Sequence, residues 1–182
     1  MGQDKGAMVY QDKSLLERTV ALLESLNLET LATSGGKSIA GMAHISDLAG
    51  GSGPLGAIDS ILQSYLKRGF CEEGNDLLLV PVDMPRLNVE LLSGLIDSHH
   101  ALKESGAVTY YMNEPLPVML SLSRHLPETI RSILEAEHER RGYSLRALYN
   151  KLYVNELVIS QDSKAGLLNC NSPEDWLKLN AK

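Results

Sequence analysis

Four short groups of residues in this chain are of types and spacing suited to holding a ligand. The first centres on Asp83, which directly follows the apolar run LLLVPV and precedes Met84 and Pro85. In layered α/β sheets ligands bind outside the carboxyl ends of the strands. A carboxylate there is a natural oxygen ligand for Mg2+ beside phosphates, although the same residue could serve only as a turn former bonded to the backbone that follows. The second group is Asp47 and the loop that holds Gly50, Gly51, Gly53 and Gly56. Glycines let a backbone approach a ligand closely, and the helix starting near Pro54 would aim its N-terminus at an anion. A plain strand-to-helix connection would have the same composition. The third group is MGQDKGAM, where Lys5 is either a phosphate cation or a solvated lysine. The fourth is NCNSPEDW. Asn169 and Asn171 alternate at an expected strand end, so their amides need not point the same way. Ser172 there also suits a helix cap, with Pro173 in the first turn and Glu174 and Asp175 facing the helix dipole.

The elements that must position these groups alternate along the chain. SLLERTVALLESLN opens with Ser14 three residues before Glu17, the spacing of a capping box. Leu15, Leu16, Val20, Leu23 and Leu26 then recur with helical period, and Asn27 supplies a stop. Strands are expected at LETLAT and MAHIS, and a helix in PLGAIDSILQSYLKRG, with Gly69 as its C-terminal cap. LLLVPV is apolar throughout, as befits a strand covered on both faces, with an irregularity expected at Pro81 because proline has no ladder donor. Asn88 suits the cap of a helix through NVELLSGLIDSHH. GAVTYYM and PLPVMLSL read as strands and PETIRSILEAEHERR as a helix. SLRALYNKL, LYVNELVIS and PEDWLKL follow as helix, strand and helix. Alternation of this kind predicts one α/β domain over residues 1–182 with a largely parallel sheet.

Composition narrows the function classes. With 182 residues, 43% of them hydrophobic, the chain has apolar material for a single core. Its net charge of −6 argues against a nucleic-acid partner, which requires a clustered basic surface. Arg140 and Arg141 are flanked by Glu135, Glu137 and Glu139, the pattern of a mixed solvated face. No apolar run approaches the roughly 18 residues of a spanning helix, and MGQDKGAM is no signal peptide, so no membrane is expected. Cys71 and Cys170 lie far apart and read as reduced thiols in a cytosolic protein. His99 and His100 are neighbours whose side chains should diverge by about a quarter turn on a helix, which argues against a shared zinc.

Taken in order, M-G-x-D-K, then D…G-x-G-P-L-G, then V-D-M-P, then N-x-N-S-P-E-D resemble the layout of molybdenum cofactor guanylyltransferases, from residue 1 to about residue 180. The resemblance implies a Rossmann-like three-layer nucleotidyltransferase fold. It implies transfer of GMP from GTP to molybdopterin carrying molybdenum, with release of pyrophosphate and with Mg2+ as cofactor. By the same resemblance Lys5 contacts the nucleotide phosphates, Asp47 lies in the nucleotide site, and Gly53, Pro54 and Leu55 border the guanine. Asp83 holds Mg2+ and approaches the nucleotide, and Asn169 and Asn171 face the pterin. Thr33 stands where the family can use Asn for a GTP contact, a departure from the pattern. Molybdoenzymes and other cofactor-assembly proteins are the partners implied.

The chemistry accords with this parts list. The nucleophile would be molybdopterin's own terminal phosphate, largely ionised near neutral pH because its second pKa is about 6. No protein general base is then required. The protein must neutralise charge and align attack on the α-phosphate, which Lys5 and an Asp83-bound Mg2+ do in outline.

Family members begin with a buried strand that runs into a loop of the form L-A-G-G-x-S-x-R, ahead of M-G-x-D-K. Here Met1 coincides with the methionine of that motif. The expectation is therefore of an upstream strand and loop that carry much of the base and phosphate cradle. Two alternatives stand beside guanylyl transfer: a CTP-using molybdopterin cytidylyltransferase on the same scaffold, and a non-catalytic pterin-binding carrier that docks molybdoenzymes.

Overall fold

Local signals near the start of the chain set the first elements. A computed structural model describes residues 5–35, 38–39, 41–47, 53–67, 74–102, 106–137 and 144–180. A 3-10 turn at Lys5–Ala7 leads to a small antiparallel hairpin, β1 (Val9–Tyr10) and β2 (Lys13–Ser14). The hairpin turns through Gln11 and Asp12, at φ 49° and 65°. Two successive left-handed residues are what a tight two-residue hairpin turn demands. Helix α1 (Leu15–Glu24) then starts on the expected capping box: Ser14 Oγ accepts from the Glu17 amide, and Glu17 accepts from the Ser14 amide at 2.8 Å. The chain leaves the helix through Asn27 at φ 52°.

Strands β3 (Ala32–Ser34) and β4 (Ala43–Ile45) pair in parallel, and α2 (Gly53–Leu66) follows. β5 (Asp76–Leu79), α3 (Val89–His100), β6 (Ala107–Tyr111) and β7 (Glu114–Ser121) come next. After α4 (Leu126–Glu137), α5 (Leu145–Tyr149) and β8 (Tyr153–Leu157), the chain ends its described part with α6 (Gln161–Lys164) and α7 (Pro173–Asn180). Two expected strands shorten. LETLAT is extended only at its end, and β5 stops at Leu79, before Pro81, whose nitrogen can donate to no ladder. The irregularity expected at Pro81 is thus a strand end.

The larger sheet has the order β5-β7-β6-β8. β7 is antiparallel to both β5 and β6, whereas β8 is parallel to β6. Three of the four strands therefore run one way, as alternating elements require, and β7 alone is reversed. The reversal follows from a two-residue connection, Met112 and Asn113, with Asn113 at φ 67°. So short a link allows only a hairpin, since a parallel neighbour needs a crossover.

Helices cover both faces of this sheet. On one face Val108, Val118 and Leu120 meet Leu55, Ile58 and Leu62 of α2, Leu126, Ile130 and Ile133 of α4, and Leu148 and Tyr149 of α5. On the other, Met119 and Tyr111 meet Leu91 and Leu95 of α3, together with Met84 and Leu167. Val118 and Leu120 point one way and Met119 the other, the two-residue period of a strand buried on both sides. This is the expected three-layer arrangement. Each fully buried leucine or isoleucine contributes roughly 1.5–3 kcal/mol. Among the described residues no helix is long and apolar enough to cross a membrane.

Candidate active site

Three segments far apart in sequence meet beyond the end of β5. The D-M-P segment is fixed from within: Met84 is buried in the second core, the Leu87 amide donates to the Met84 carbonyl at 3.1 Å, and Asn88 caps α3 by accepting from the Leu91 amide at 3.0 Å. Asp83 is thereby held in the turn between β5 and α3. Its carbonyl accepts from the Cys170 amide at 2.7 Å, which ties the N-C-N segment to D-M-P through the backbone. The chain reaches Cys170 by way of Gly166. A β-carbon at Gly166 would run into the end of Leu91 and lie 3.3 Å from the Arg86 carbonyl, so the close passage needs glycine.

The N-terminal segment is anchored to both others. Tyr10 meets Trp176 of α7 edge to face, with centroids 6.3 Å apart, and the Arg18 guanidinium lies 4.9 Å over the Tyr10 ring. Arg18 also donates to the Pro85 carbonyl at 3.4 Å. The anchoring carries Lys5 to the site, where its Nζ donates to Asp83 Oδ2 at 2.8 Å and to Asn171 Oδ1. The carboxylate is 16% exposed and the ammonium 38%, so the pair opens on solvent but is only partly screened by it.

Asn171 is itself held. The Asp175 carboxylate accepts from the Asn171 amide at 3.1 Å and from the Ser172 amide at 2.9 Å, while the Asp175 amide donates to Ser172 Oγ at 3.1 Å. The last two bonds form a reciprocal capping box at the start of α7. Cys170 is a buried free thiol. Burial, and then the negative charges of Asp175 and Asp83, push it up against the opposing effect of Lys5. The thiolate form, the one that attacks as a nucleophile, is thereby disfavoured.

The structure therefore brings together Lys5, Asp83 and Asn171. Asn169 is exposed, and neither asparagine lies at a strand end, because β8 stops at Leu157. Thr33 belongs to the smaller sheet, where its hydroxyl lies 2.9 Å from His44 Nδ1. Asp47 follows β4, and α2, which packs on β4, opens with Gly53 at φ 60° and Pro54. The side chain of Leu55 is wholly buried in the first core, which leaves its backbone to border a base. Gly50, Gly51, Gly69, Cys71, Glu139, Arg140 and Arg141 lie outside the described residues.

Two features were missed from sequence. Asp175 orients the Asn171 backbone, a role that the S-x-x-D spacing of a capping box would have revealed. His99 and His100 do not diverge fully: their Nε2 atoms each lie 3.3 Å from a different oxygen of Asp76. Nothing local signals that pairing. Among the described residues no three His, Cys, Asp or Glu side chains are gathered as metal ligands.

Comparison with known proteins follows the same lines. The model of the MobA-like NTP transferase domain matches residues 1–154. A molybdenum cofactor guanylyltransferase of Xanthomonas euvesicatoria pv. vesicatoria is 30% identical over 180 residues, which are 98% of this chain and 87% of that protein. Molybdopterin-guanine dinucleotide biosynthesis protein A from Archaeoglobus fulgidus superimposes with a TM-score of 0.68 at 17% identity, over 98% of this chain and 89% of the other. The 2-C-methyl-D-erythritol 4-phosphate cytidylyltransferase of Thermus thermophilus does so with a TM-score of 0.63 at 12% identity, over 96% and 91%. These two show a nucleotidyltransferase fold. The match across residues 1–154, with the 30% identity over nearly the whole chain, makes this protein a member of the MobA-like NTP transferase family.

Proposed function

We propose that this chain transfers GMP from GTP to molybdopterin carrying molybdenum, forming the guanine dinucleotide cofactor and releasing pyrophosphate. The observation that carries this reading is the meeting of Lys5, Asp83 and Asn171, one residue from each of three separate motifs, beyond the end of β5. The 30% identical relative named as a molybdenum cofactor guanylyltransferase supports the choice of base and acceptor. Molybdoenzymes and cofactor-assembly proteins would take the product, in a cytoplasmic setting that accords with the free thiol of Cys170.

The residues divide the work by their chemistry. Lys5 contacts the nucleotide phosphates, where an ammonium offsets charge that develops as pyrophosphate leaves. Thr33, Asp47, Gly53, Pro54 and the backbone of Leu55 form the nucleotide side, and Asn169 and Asn171 the pterin side. The acceptor phosphate arrives ionised, so orientation and charge neutralisation suffice without a general base. Asp83 fits Mg2+, because that ion is commonly held by one or two carboxylates together with substrate phosphates instead of by an all-protein cage. When bound, Mg2+ supplies further neutralisation of phosphate charge.

The test is transfer from GTP labelled at the α-phosphate to molybdopterin, comparing the unaltered chain with Lys5→Ala and Asp83→Ala. Label should pass to the pterin with GTP and not with CTP, and each variant should lose about 100-fold or more in kcat. Label passing equally from CTP, or undiminished turnover in both variants, would overturn the reading.

A further inference from the structure

We infer that Asp175 is a positioning residue for Lys5, acting through Asn171. The carboxylate of Asp175 takes the Asn171 and Ser172 amides at 3.1 and 2.9 Å, which fixes the backbone from which the Asn171 side chain extends. The Asn171 carbonyl oxygen in turn accepts from Lys5 Nζ, whose other acceptor here is Asp83 Oδ2 at 2.8 Å. An ammonium on a four-carbon stem is a mobile point charge. A single acceptor would fix its distance but leave it free to swing, whereas two acceptors on separate elements define where it sits. One of these two is anchored by the turn before α3, through the bond from the Cys170 amide to the Asp83 carbonyl. The other depends on Asp175. The segment that begins α7 therefore does more than face one ligand, since it sets the cation that serves the other.

The inference rests on the reading of Lys5 as the phosphate-contacting cation, and the experiment separates the two. In the ligand-free protein, acetylation of Lys5 by an N-hydroxysuccinimide ester is followed by mass spectrometry, with the remaining lysines as internal reference. Asp175→Ala and Asn171→Ala should each raise Lys5 reactivity several-fold relative to those lysines. Asp175→Asn keeps an acceptor oxygen for the two amides and should stay near the parent value. In guanylyl transfer, Asp175→Ala should lower kcat by about tenfold to 100-fold, the usual cost of a misplaced catalytic group, with rescue by Asp175→Asn. The double variant Asn171→Ala/Asp175→Ala should be no slower than Asn171→Ala alone, because residues acting in series are not additive. Unchanged Lys5 reactivity in Asp175→Ala, or additive losses in the double variant, would overturn the inference. Raised reactivity in Asp175→Ala, with full turnover in Lys5→Ala, would instead leave the positioning intact and remove Lys5 from the reaction.

Discussion

Lys5 donates to Asp83 at 2.8 Å across 78 residues of sequence, joining the start of the chain to the turn between β5 and α3. The Asp83 side chain enters this contact while its backbone carbonyl holds Cys170. The two roles can therefore be separated by substitution. Asp83→Ala removes the carboxylate and keeps the carbonyl, so kcat/KM for GTP should fall about 100-fold or more. The melting temperature should move by no more than the few degrees expected of a partly exposed pair. Steady-state kinetics and thermal melts on one preparation check both, and a collapse of the fold would contradict the separation.

Asn169 and Asn171 should behave differently although both belong to N-C-N. Asn169 is exposed and should affect the pterin alone: Asn169→Ala is expected to weaken molybdopterin binding and spare GTP. Asn171 touches Lys5, so Asn171→Ala should disturb both ligands. Paired calorimetric titrations decide the matter, and an identical profile for the two variants would refute it.

Asp76 should make the protein sensitive to acid. Burial raises its carboxyl, but the hydrogen bond and charge of His99, the hydrogen bond from Ser121 and the charge of His100 outweigh burial and hold it below the ordinary value. A group whose pKa is depressed on folding stabilises the native state above its unfolded value, about 3.9. That stabilisation is lost as pH falls through the lower folded value. Asp76→Asn removes the dependence, so its melting temperature should lie below the parent's at pH 7 and approach it as the pH falls below about 4. A constant difference across that range would exclude the linkage.

Gly166→Ala should destabilise by about 1–3 kcal/mol, the usual cost of forcing atoms into a filled site. The added carbon would strike the end of Leu91 and crowd the Arg86 carbonyl. Shortening Leu91 to valine in the same chain should recover part of the loss, since a side-chain end yields more easily than backbone. Urea denaturation of both variants measures it.

By itself the sequence determined those features whose physical cause spans only a few residues. The capping box of Ser14 and Glu17, the Asn88 cap, the helical period through α1 and the apolar β6 and β7 all act over two to four positions, the repeats of helix and strand. The order of four short motifs was enough to suggest a family, because type and spacing are sequence properties. Only the tertiary structure decided which motif residues meet. Lys5 finds Asn171 across 166 residues because hairpin, sheet order and α7 bring them to one place, and no local period encodes that distance. It also decided that Leu55 turns into the core and that Asp76 binds two histidines from α3. Each of these depends on what packs opposite, and the partner that fills the other side of a contact is chosen by the fold as a whole.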